Sequence, residues 1–123
     1  MTQGILIIGG AGFVGTRLAS RFSRGAEKYF LGDIDTSSPL DNIVELDVEA
    51  PTSLDQIAGA RSIINLAAVH RDDVRPLSRY DDVNVQGAKN VCEAASKHGI
   101  NKIIFTSSVA IYGFAPADTD ESG

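Results

Sequence analysis

The residues best suited to chemistry form a glycine-rich run near the start of the chain. Gly10, Gly12 and Gly15 match the pattern G-x-G-x-x-G, and Gly9, Gly12 and Gly15 match a shifted G-x-x-G-x-x-G. Residues without a Cβ permit a tight turn and let a pyrophosphate approach the backbone closely. Where such a turn leads into a helix, the free N–H groups of the first helical turn attract phosphate. A nucleoside-triphosphate loop fits less well, because Thr16-Arg17 stands where that motif requires Lys followed by Ser or Thr.

An acidic residue follows this loop at a suitable distance. Asp33 comes 18 residues after Gly15, directly after an apolar run. A carboxylate can accept hydrogen bonds from both hydroxyls of a ribose, and it repels a 2′-phosphate. Asp35 adds negative charge and no Arg or Lys follows closely, so NAD is favoured over NADP. The alternatives are a glycine turn that holds no ligand and a solvated turn acid at position 33.

Further polar or small residues stand where other apolar runs end. Asp47 follows the run that closes at 46, Ala67 and Ala68 follow the run at 61–66, and Ser107 and Ser108 close the last run. Ligands of open parallel sheets bind beyond the carboxyl ends of the strands, so these clusters are expected on one rim with the glycine loop. On spacing alone Asp47 is an ordinary turn acid, and small residues such as Ala67 are equally common at close helix packing.

The apolar pattern predicts alternating strands and helices. Continuous apolar runs predict buried strands at 5–8, 28–31, 42–46, 61–66 and 102–106. Helical spacing predicts a helix after the glycine loop, short helical turns over 52–57 capped by Thr52 or Ser53, and a long helix over 77–97 that ends at Gly99. On the long helix, Val85, Ala88, Cys92 and Ala95 are expected to form the buried face. The alternation predicts the α/β class, with a parallel sheet covered on both faces. Together with the dinucleotide fingerprint, we expect a partial Rossmann-type doubly wound sheet with strand order 3-2-1-4-5.

Composition narrows the class of protein. The chain has 123 residues, of which 43% are hydrophobic, so one domain with a sizeable core is expected. Its formal net charge is −5, without a basic run, which argues against nucleic-acid binding. The single Cys92 excludes an internal disulfide and a cysteine metal cluster, and it fits a reduced, cytoplasmic setting. We find no membrane span or signal peptide in the sequence, and no metal site is predicted.

Four sequence blocks together resemble the N-terminal part of extended short-chain dehydrogenases/reductases. More narrowly, they are similar to those of the NAD-dependent nucleotide-sugar epimerases and dehydratases. The blocks are GGAGFVG at 9–15, NLAA at 65–68, NVQG at 84–87 and FTSSVAIYG at 105–113. They follow the family's order and span residues 4–113, although Ala88 replaces the Thr that is usual after the third block.

The resemblance implies a role for each of these positions. The glycine loop would hold the pyrophosphate, Asp33 the adenosine ribose and the Asp47-Val48 pair the adenine. Ser108 would hydrogen-bond the reacting sugar hydroxyl, and His70 would reach the substrate, although a lone loop His is more often solvated. The implied NAD-contacting residues are Gly9, Gly12, Phe13, Val14, Gly15, Asp33, Asp47, Val48, Ala67, Ala68, Asn84 and Ser107.

One feature of the family's chemistry is missing. The family removes a hydroxyl proton with a Tyr whose pKa is lowered by a Lys four residues later, while hydride passes to NAD. Tyr29, Tyr80 and Tyr112 are followed at that offset by Asp, Asn and Pro. We therefore expect a single NAD-binding domain over 1–123, truncated before the Tyr and the substrate domain, that is inactive by itself.

The predicted function is the NAD-binding part of a nucleotide-sugar epimerase or dehydratase that works through a keto-sugar. A non-catalytic dinucleotide sensor and the cofactor domain of a steroid- or flavonoid-type reductase remain as alternatives. The expected partner of the full-length parent is a nucleotide sugar. Self-association is expected through the outer edge of the fifth strand, which a single Lys protects poorly, or through the helix at 77–97.

Overall fold

The computed structural model describes residues 4–25, 27–37, 43–67, 81–106 and 117. Five parallel strands form one sheet in the order β3-β2-β1-β4-β5, which confirms the predicted fold class and strand order. The strands are β1 (Ile5–Ile8), β2 (Tyr29–Asp33), β3 (Ile43–Glu45), β4 (Ser62–Asn65) and β5 (Ile103–Phe105).

The central strand β1 is apolar along its whole length because both of its faces are covered. Leu6 and Ile8 point to one face and Ile7 to the other, and all three are almost fully buried. Each such side chain contributes roughly 1.5–3 kcal/mol of transfer free energy relative to an exposed one. The register aligns Ile5 with Tyr29 on β2 and with Ser62 on β4, so the three strands end at one rim.

Helices cover both faces of the sheet. Helix α1 (Phe13–Ser23) packs Ala19 against Ile7, Leu31 and Ile64 on one face. A 3₁₀ helix (Ser53–Ile57) and helix α2 (Ala88–Lys97) cover the other face with Leu54, Ile57, Val91, Ala94 and Ala95. A π-helical turn (Asp81–Gly87) leads directly into α2. This layered arrangement leaves the rim at the carboxyl ends of the strands as the place where the loops gather.

Two details of the helices differ from the sequence prediction. On α2, Cys92 is exposed and Val85, in the π-helical turn, is 48% exposed, whereas Asn90, Val91 and Ala94 are buried. Because α2 is itself a regular α-helix, its inner face is set by Val91, Ala94 and Ala95, and Cys92 lies outside that face. The cap expected from Thr52 or Ser53 does not form, because the Ser53 hydroxyl accepts a hydrogen bond from Asp47 N–H instead.

Within the described residues, no helix is long and apolar enough to cross a membrane. In the same part of the chain, no group of three or more His, Cys, Asp or Glu side chains is placed to hold a metal ion.

Candidate cofactor site

The glycine loop leaves β1 and is anchored on the neighbouring strand. The N–H groups of Gly9 and Gly10 both donate to the carbonyl of Gly32 on β2, at 2.7 and 3.2 Å. Gly9 has a φ of 81°, a left-handed conformation that side chains other than glycine rarely adopt. The chain can therefore turn sharply at the rim without losing its contact with the sheet.

The last two glycines of the motif have different surroundings. A Cβ added at Gly15 would lie 2.6 Å from Gly10 Cα and 2.7 Å from the carbonyl oxygens of Gly9 and Gly10. Glycine at 15 is thus required for α1 to pack against the loop. A Cβ at Gly12 would meet only Gly9 O, at 3.4 Å, and Gly12 is exposed. The space over Gly12 is open, which is the arrangement needed for a ligand to approach the backbone.

Helix α1 begins at this open space without a cap of its own. Gly12 is the N-cap residue, no side chain accepts a hydrogen bond from the first turn, and that turn contains no acidic residue. Its N–H groups and the positive end of the helix dipole are thus available to an anion. Phe13 and Val14, at the start of the helix, are 72% and 49% exposed, and the guanidinium of Arg17 lies 3.6 Å above the Phe13 ring.

Asp33, the last residue of β2, is hydrogen-bonded to the glycine loop. Its Oδ2 accepts a hydrogen bond from Ala11 N–H at 2.9 Å, and its Oδ1 accepts one from Asp35 N–H at 3.1 Å. The two bonds fix the half-buried carboxylate at the end of β2. Because each carboxylate oxygen has two lone pairs, each can still accept a ribose hydroxyl. The loop and the acid, found as separate signals in the sequence, therefore form one preorganised unit.

A second negatively charged side chain lies near Asp33 in the sequence. The side-chain hydroxyl and the backbone N–H of Ser37 donate to the carboxylate of Asp35 and hold its pKa below the ordinary 3.8. Asp35 is therefore ionised at neutral pH, two residues from Asp33. A second negative charge at this point disfavours a 2′-phosphate, which agrees with the predicted preference for NAD over NADP.

A second loop on the rim follows β3. The N–H of Leu46 donates to Asp33 O at 2.9 Å, and Asp47 N–H donates to Ser53 Oγ at 2.9 Å. Asp47 Oδ1 accepts the N–H of Glu49, also at 2.9 Å, which closes the turn after β3. Val48 is 6% exposed and its side chain packs in the core, so a ligand at this loop would meet its backbone.

Comparison with known proteins identifies the family. The model of the NAD dependent epimerase/dehydratase family matches residues 5–123, nearly the whole chain. The chain belongs to this family. The fold and the cofactor predicted from the sequence are confirmed at this level, because the family is NAD-dependent and its solved relatives share the sheet.

Three relatives place the chain within the epimerase/dehydratase family. It is 43% identical over 99% of its length to the N-acetyl-alpha-D-glucosaminyl-diphospho-ditrans,octacis-undecaprenol 4-epimerase of Escherichia coli O157:H7. It is 31% identical over 89% of its length to the UDP-glucose 4-epimerase of Bacillus subtilis. A variant of uronate dehydrogenase from Agrobacterium tumefaciens complexed with NAD shares 28% identity and a TM-score of 0.75 over 88% of the chain. The chain spans 37%, 38% and 42% of the lengths of these proteins.

Of the remaining predicted site residues, two lie within the described part of the chain and four lie outside it. Ala67 is half-buried where β4 ends, and its N–H donates to Asn65 Oδ1 at 3.1 Å. It lies against Gly9, since a Cβ on Gly9 would be 3.0 Å from Ala67 N, so the β4 exit and the glycine loop are adjacent. Asn84 is half-buried in the π-helical turn. The predicted sites at Ala68, His70, Ser107 and Ser108 lie outside the described residues.

One residue of the rim was missed by the sequence interpretation. Asn90, in the first turn of α2, is buried, and its Nδ2 donates to the carbonyl of Val48 at 2.8 Å. It thereby links α2 to the loop after β3. The signal that could have found it is the apolar set Val91, Ala94 and Ala95, whose i, i+3 and i+4 spacing places Asn90 on the same face of a regular helix.

Proposed function

We propose that this chain is the NAD-binding part of an epimerase or dehydratase that oxidises and re-reduces a sugar joined to a diphosphate. The observation that carries the proposal is the hydrogen bond from Ala11 N–H to Asp33, which unites the phosphate loop and the ribose acid. The open backbone at Gly12 and the uncapped start of α1 support it.

The described residues fit an NAD molecule laid along the rim. The backbone from Gly9 to Gly12 and the first turn of α1 would hold the pyrophosphate. The carboxylate of Asp33 would accept the adenosine ribose hydroxyls. The Asp47-Val48 loop, which is tied to Asp33 through Leu46 N–H, would hold the adenine. Ala67, beside Gly9, would border the path toward the nicotinamide.

When bound, NAD supplies a hydride acceptor that takes hydrogen from a sugar carbon and returns it. In the full-length parent a keto-sugar would then be the intermediate, since loss of hydride and of the hydroxyl proton leaves a carbonyl. Ser108 would hydrogen-bond the reacting hydroxyl, and His70 would lie on the substrate side. Because no Tyr here is followed four residues later by Lys, the 123-residue chain is expected to bind NAD without turnover.

The relatives support a sugar diphosphate as substrate class. The Escherichia coli relative is named for a sugar linked through a diphosphate to undecaprenol, and the Bacillus subtilis relative for UDP-glucose. Both are 4-epimerases and both substrates contain a glycosyl diphosphate. The parent of this chain is therefore proposed to act at carbon 4 of such a compound, with a nucleotide or a polyprenol as the second half.

The proposal is tested by titrating the chain with NAD and NADP in a calorimeter and by following NADH absorbance with UDP-glucose present. We expect saturable binding of NAD, weaker binding of NADP and no accumulation or turnover of NADH. Absence of NAD binding by the folded chain would overturn the assignment. Sustained turnover would refute the inactivity of the isolated chain while leaving NAD binding intact.

A non-catalytic dinucleotide-binding module is the second candidate, because the glycine loop and Asp33 account for dinucleotide binding without any catalytic side chain. The two candidates differ in the sequence that follows residue 123 in the source. A Tyr-x-x-x-Lys roughly two dozen residues after Ser108 supports the epimerase, and a continuous reading frame without it supports the module.

A further inference from the structure

Asn90 is one of three buried polar residues within the described part of the chain, together with Ser62 and Asn65. Its two amide atoms are both used. Nδ2 donates to Val48 O at 2.8 Å across 42 residues of sequence, and Oδ1 accepts from Gln86 Nε2 at 3.1 Å, one helical turn earlier. Burying a polar group costs free energy unless it is hydrogen-bonded, so these two hydrogen bonds are needed for Asn90 to be buried here.

The chemistry of the two contacts fixes the orientation of the amide. The carbonyl of Val48 can only accept a hydrogen bond, so Asn90 must turn its NH₂ group toward it. Oδ1 then faces Gln86, which supplies a donor. An aspartate at 90 would place a charge against a carbonyl, and an aliphatic residue would leave that carbonyl without its donor. The pair therefore holds the backbone of Val48 at a set distance from α2.

The loop that Asn90 holds is the one proposed to receive the adenine. Within the described residues its other attachments include Leu46 N–H to Asp33 O, Asp47 N–H to Ser53 Oγ and the turn closed by Asp47 Oδ1. These fix the loop to β2 and to the 3₁₀ helix. Asn90 adds a support from α2, directly at the residue that follows Asp47. The placement of the Asp47 carboxylate relative to Asp33 thus depends in part on Asn90.

We propose that Asn90 is a positioning residue for adenine recognition: it holds the Asp47-Val48 backbone so that the Asp47 carboxylate accepts a hydrogen bond from the 6-amino group of the adenine of NAD. This inference rests on the proposed function, since it requires NAD at the rim. It adds a specificity element on α2, which reaches the loop through Asn90.

The test compares NAD with nicotinamide hypoxanthine dinucleotide, which has an oxo group in place of the adenine amino group. The full 123-residue chain should bind NAD about tenfold or more tightly than the analogue, because a hydrogen bond to a carboxylate is lost. Asn90→Leu should reduce that preference to about threefold or less. Gln86→Leu, at an exposed position, should reduce it by a smaller factor, since the Asn90 amide loses one of its two supports.

Lys97→Met is the matched control, because Lys97 also joins α2 to the segment after β3. Its Nζ lies 3.0 Å from Asp55 Oδ1 on the surface, away from Asp47-Val48. This variant should keep the wild-type preference. Circular dichroism and thermal melting of each variant separate a loss of folding from a change in preference, and a purely structural role for Asn90 would lower the melting temperature without altering the ratio of the two affinities.

The outcomes distinguish the inference from the function beneath it. A wild-type chain that binds neither dinucleotide overturns the proposed function. A wild-type chain that binds both equally, or an Asn90→Leu variant that keeps the preference, overturns the positioning role while NAD binding stands. If Asn90→Leu does not fold, Gln86→Leu decides, and an unchanged preference in that variant also overturns the inference.

Discussion

We predict that two glycine-to-alanine substitutions in the glycine loop, three residues apart, affect different properties of the chain. In Gly15→Ala the new Cβ would lie 2.6–2.7 Å from three backbone atoms of Gly9 and Gly10. In Gly12→Ala it would meet only Gly9 O, at 3.4 Å, and would project into the open space above the loop. The first change should disturb folding and the second should disturb the ligand.

The magnitudes follow from these contacts. At position 15, inside α1, alanine is intrinsically preferred by about 1 kcal/mol, but overpacking against a backbone that cannot move away costs about 1–3 kcal/mol or more. Because the three contacts are all to backbone, we expect the upper end of that cost and a net loss of about 2 kcal/mol in the free energy of unfolding. At position 12 the backbone has a φ of −79°, which alanine accepts. A less favourable N-cap offsets the reduced entropy of the unfolded chain, so stability should change by less than about 1 kcal/mol.

The assay is urea denaturation with and without NAD. At a hundredfold excess over its dissociation constant, NAD should stabilise the wild-type chain by about 2.7 kcal/mol. If the Gly12→Ala methyl weakens binding tenfold, the same concentration should stabilise that variant by only about 1.4 kcal/mol. Gly15→Ala should start less stable, and its unfolding midpoint without ligand should fall.

Two results would refute this reasoning. A Gly12→Ala chain that gains as much stability from NAD as the wild type would show that the cofactor does not lie against Gly12. A Gly15→Ala chain as stable as the wild type would show that the loop can move away from α1, so the close packing described above would not be required.

Three further predictions concern the acids and the sheet edge. Asp33→Asn removes the negative charge that accepts hydrogen bonds from the Ala11 and Asp35 N–H groups and would accept them from the ribose hydroxyls. It should weaken NAD binding about tenfold or more and reduce the preference for NAD over NADP. Calorimetry with both dinucleotides measures the two affinities, and an unchanged ratio between them would contradict the prediction. Hydrogen bonds from Lys97 and then His98 hold the pKa of Asp55 below 3.8, so its contribution to stability is present above that pH and is lost as pH falls through the lowered value. Asp55→Asn should therefore flatten the acid limb of urea-unfolding curves measured at a series of pH values, and an equally steep limb would contradict the assignment. Within the described residues β5 ends the sheet, and Phe105 on it is 57% exposed. We propose that the chain self-associates through this edge and that Phe105→Lys weakens the association, as measured by sedimentation velocity. A wild-type chain that stays monomeric at high concentration would contradict this proposal.

The sheet was predictable because its signals are local. Each strand is a short apolar run, and such runs alternating with helical segments favour a layered α/β fold. The strand order 3-2-1-4-5 is the one typical of dinucleotide-binding sheets, and the observed order agrees. The expected burial holds for β1 and β4 but not for β5, whose Ile104 and Phe105 are exposed at the sheet edge. Strand boundaries were less accurate: β2 extends through Gly32 to Asp33, although neither residue favours strands, because pairing with β1 and β3 holds them there.

The candidate site was predictable as a set of residue types but not as a set of contacts. Spacing indicated a phosphate loop and a ribose acid, yet it could not show that Ala11 N–H donates to Asp33 across 22 residues. The glycine pattern likewise does not distinguish Gly15, which is needed for packing, from Gly12, which borders open space. The first distinction depends on how the loop lies over the end of β2, and the second depends on the distance between α1 and the loop. Both are properties of the assembled fold.

The error on α2 explains why Asn90 was missed. Projecting a regular helix through Val85, Ala88, Cys92 and Ala95 selects a face by assuming 3.6 residues per turn throughout. The π-helical turn Asp81–Gly87 changes only the phase between Val85 and α2, since Ala88, Cys92 and Ala95 all lie within the regular helix. Within α2 the inner face is set by Val91, Ala94 and Ala95, which turns Cys92 to solvent and places Asn90 inside. Because the first turn of α2 passes beside the loop after β3, the amide meets the carbonyl of Val48 rather than solvent. The apolar set that the prediction passed over thus also locates the contact between α2 and the loop after β3.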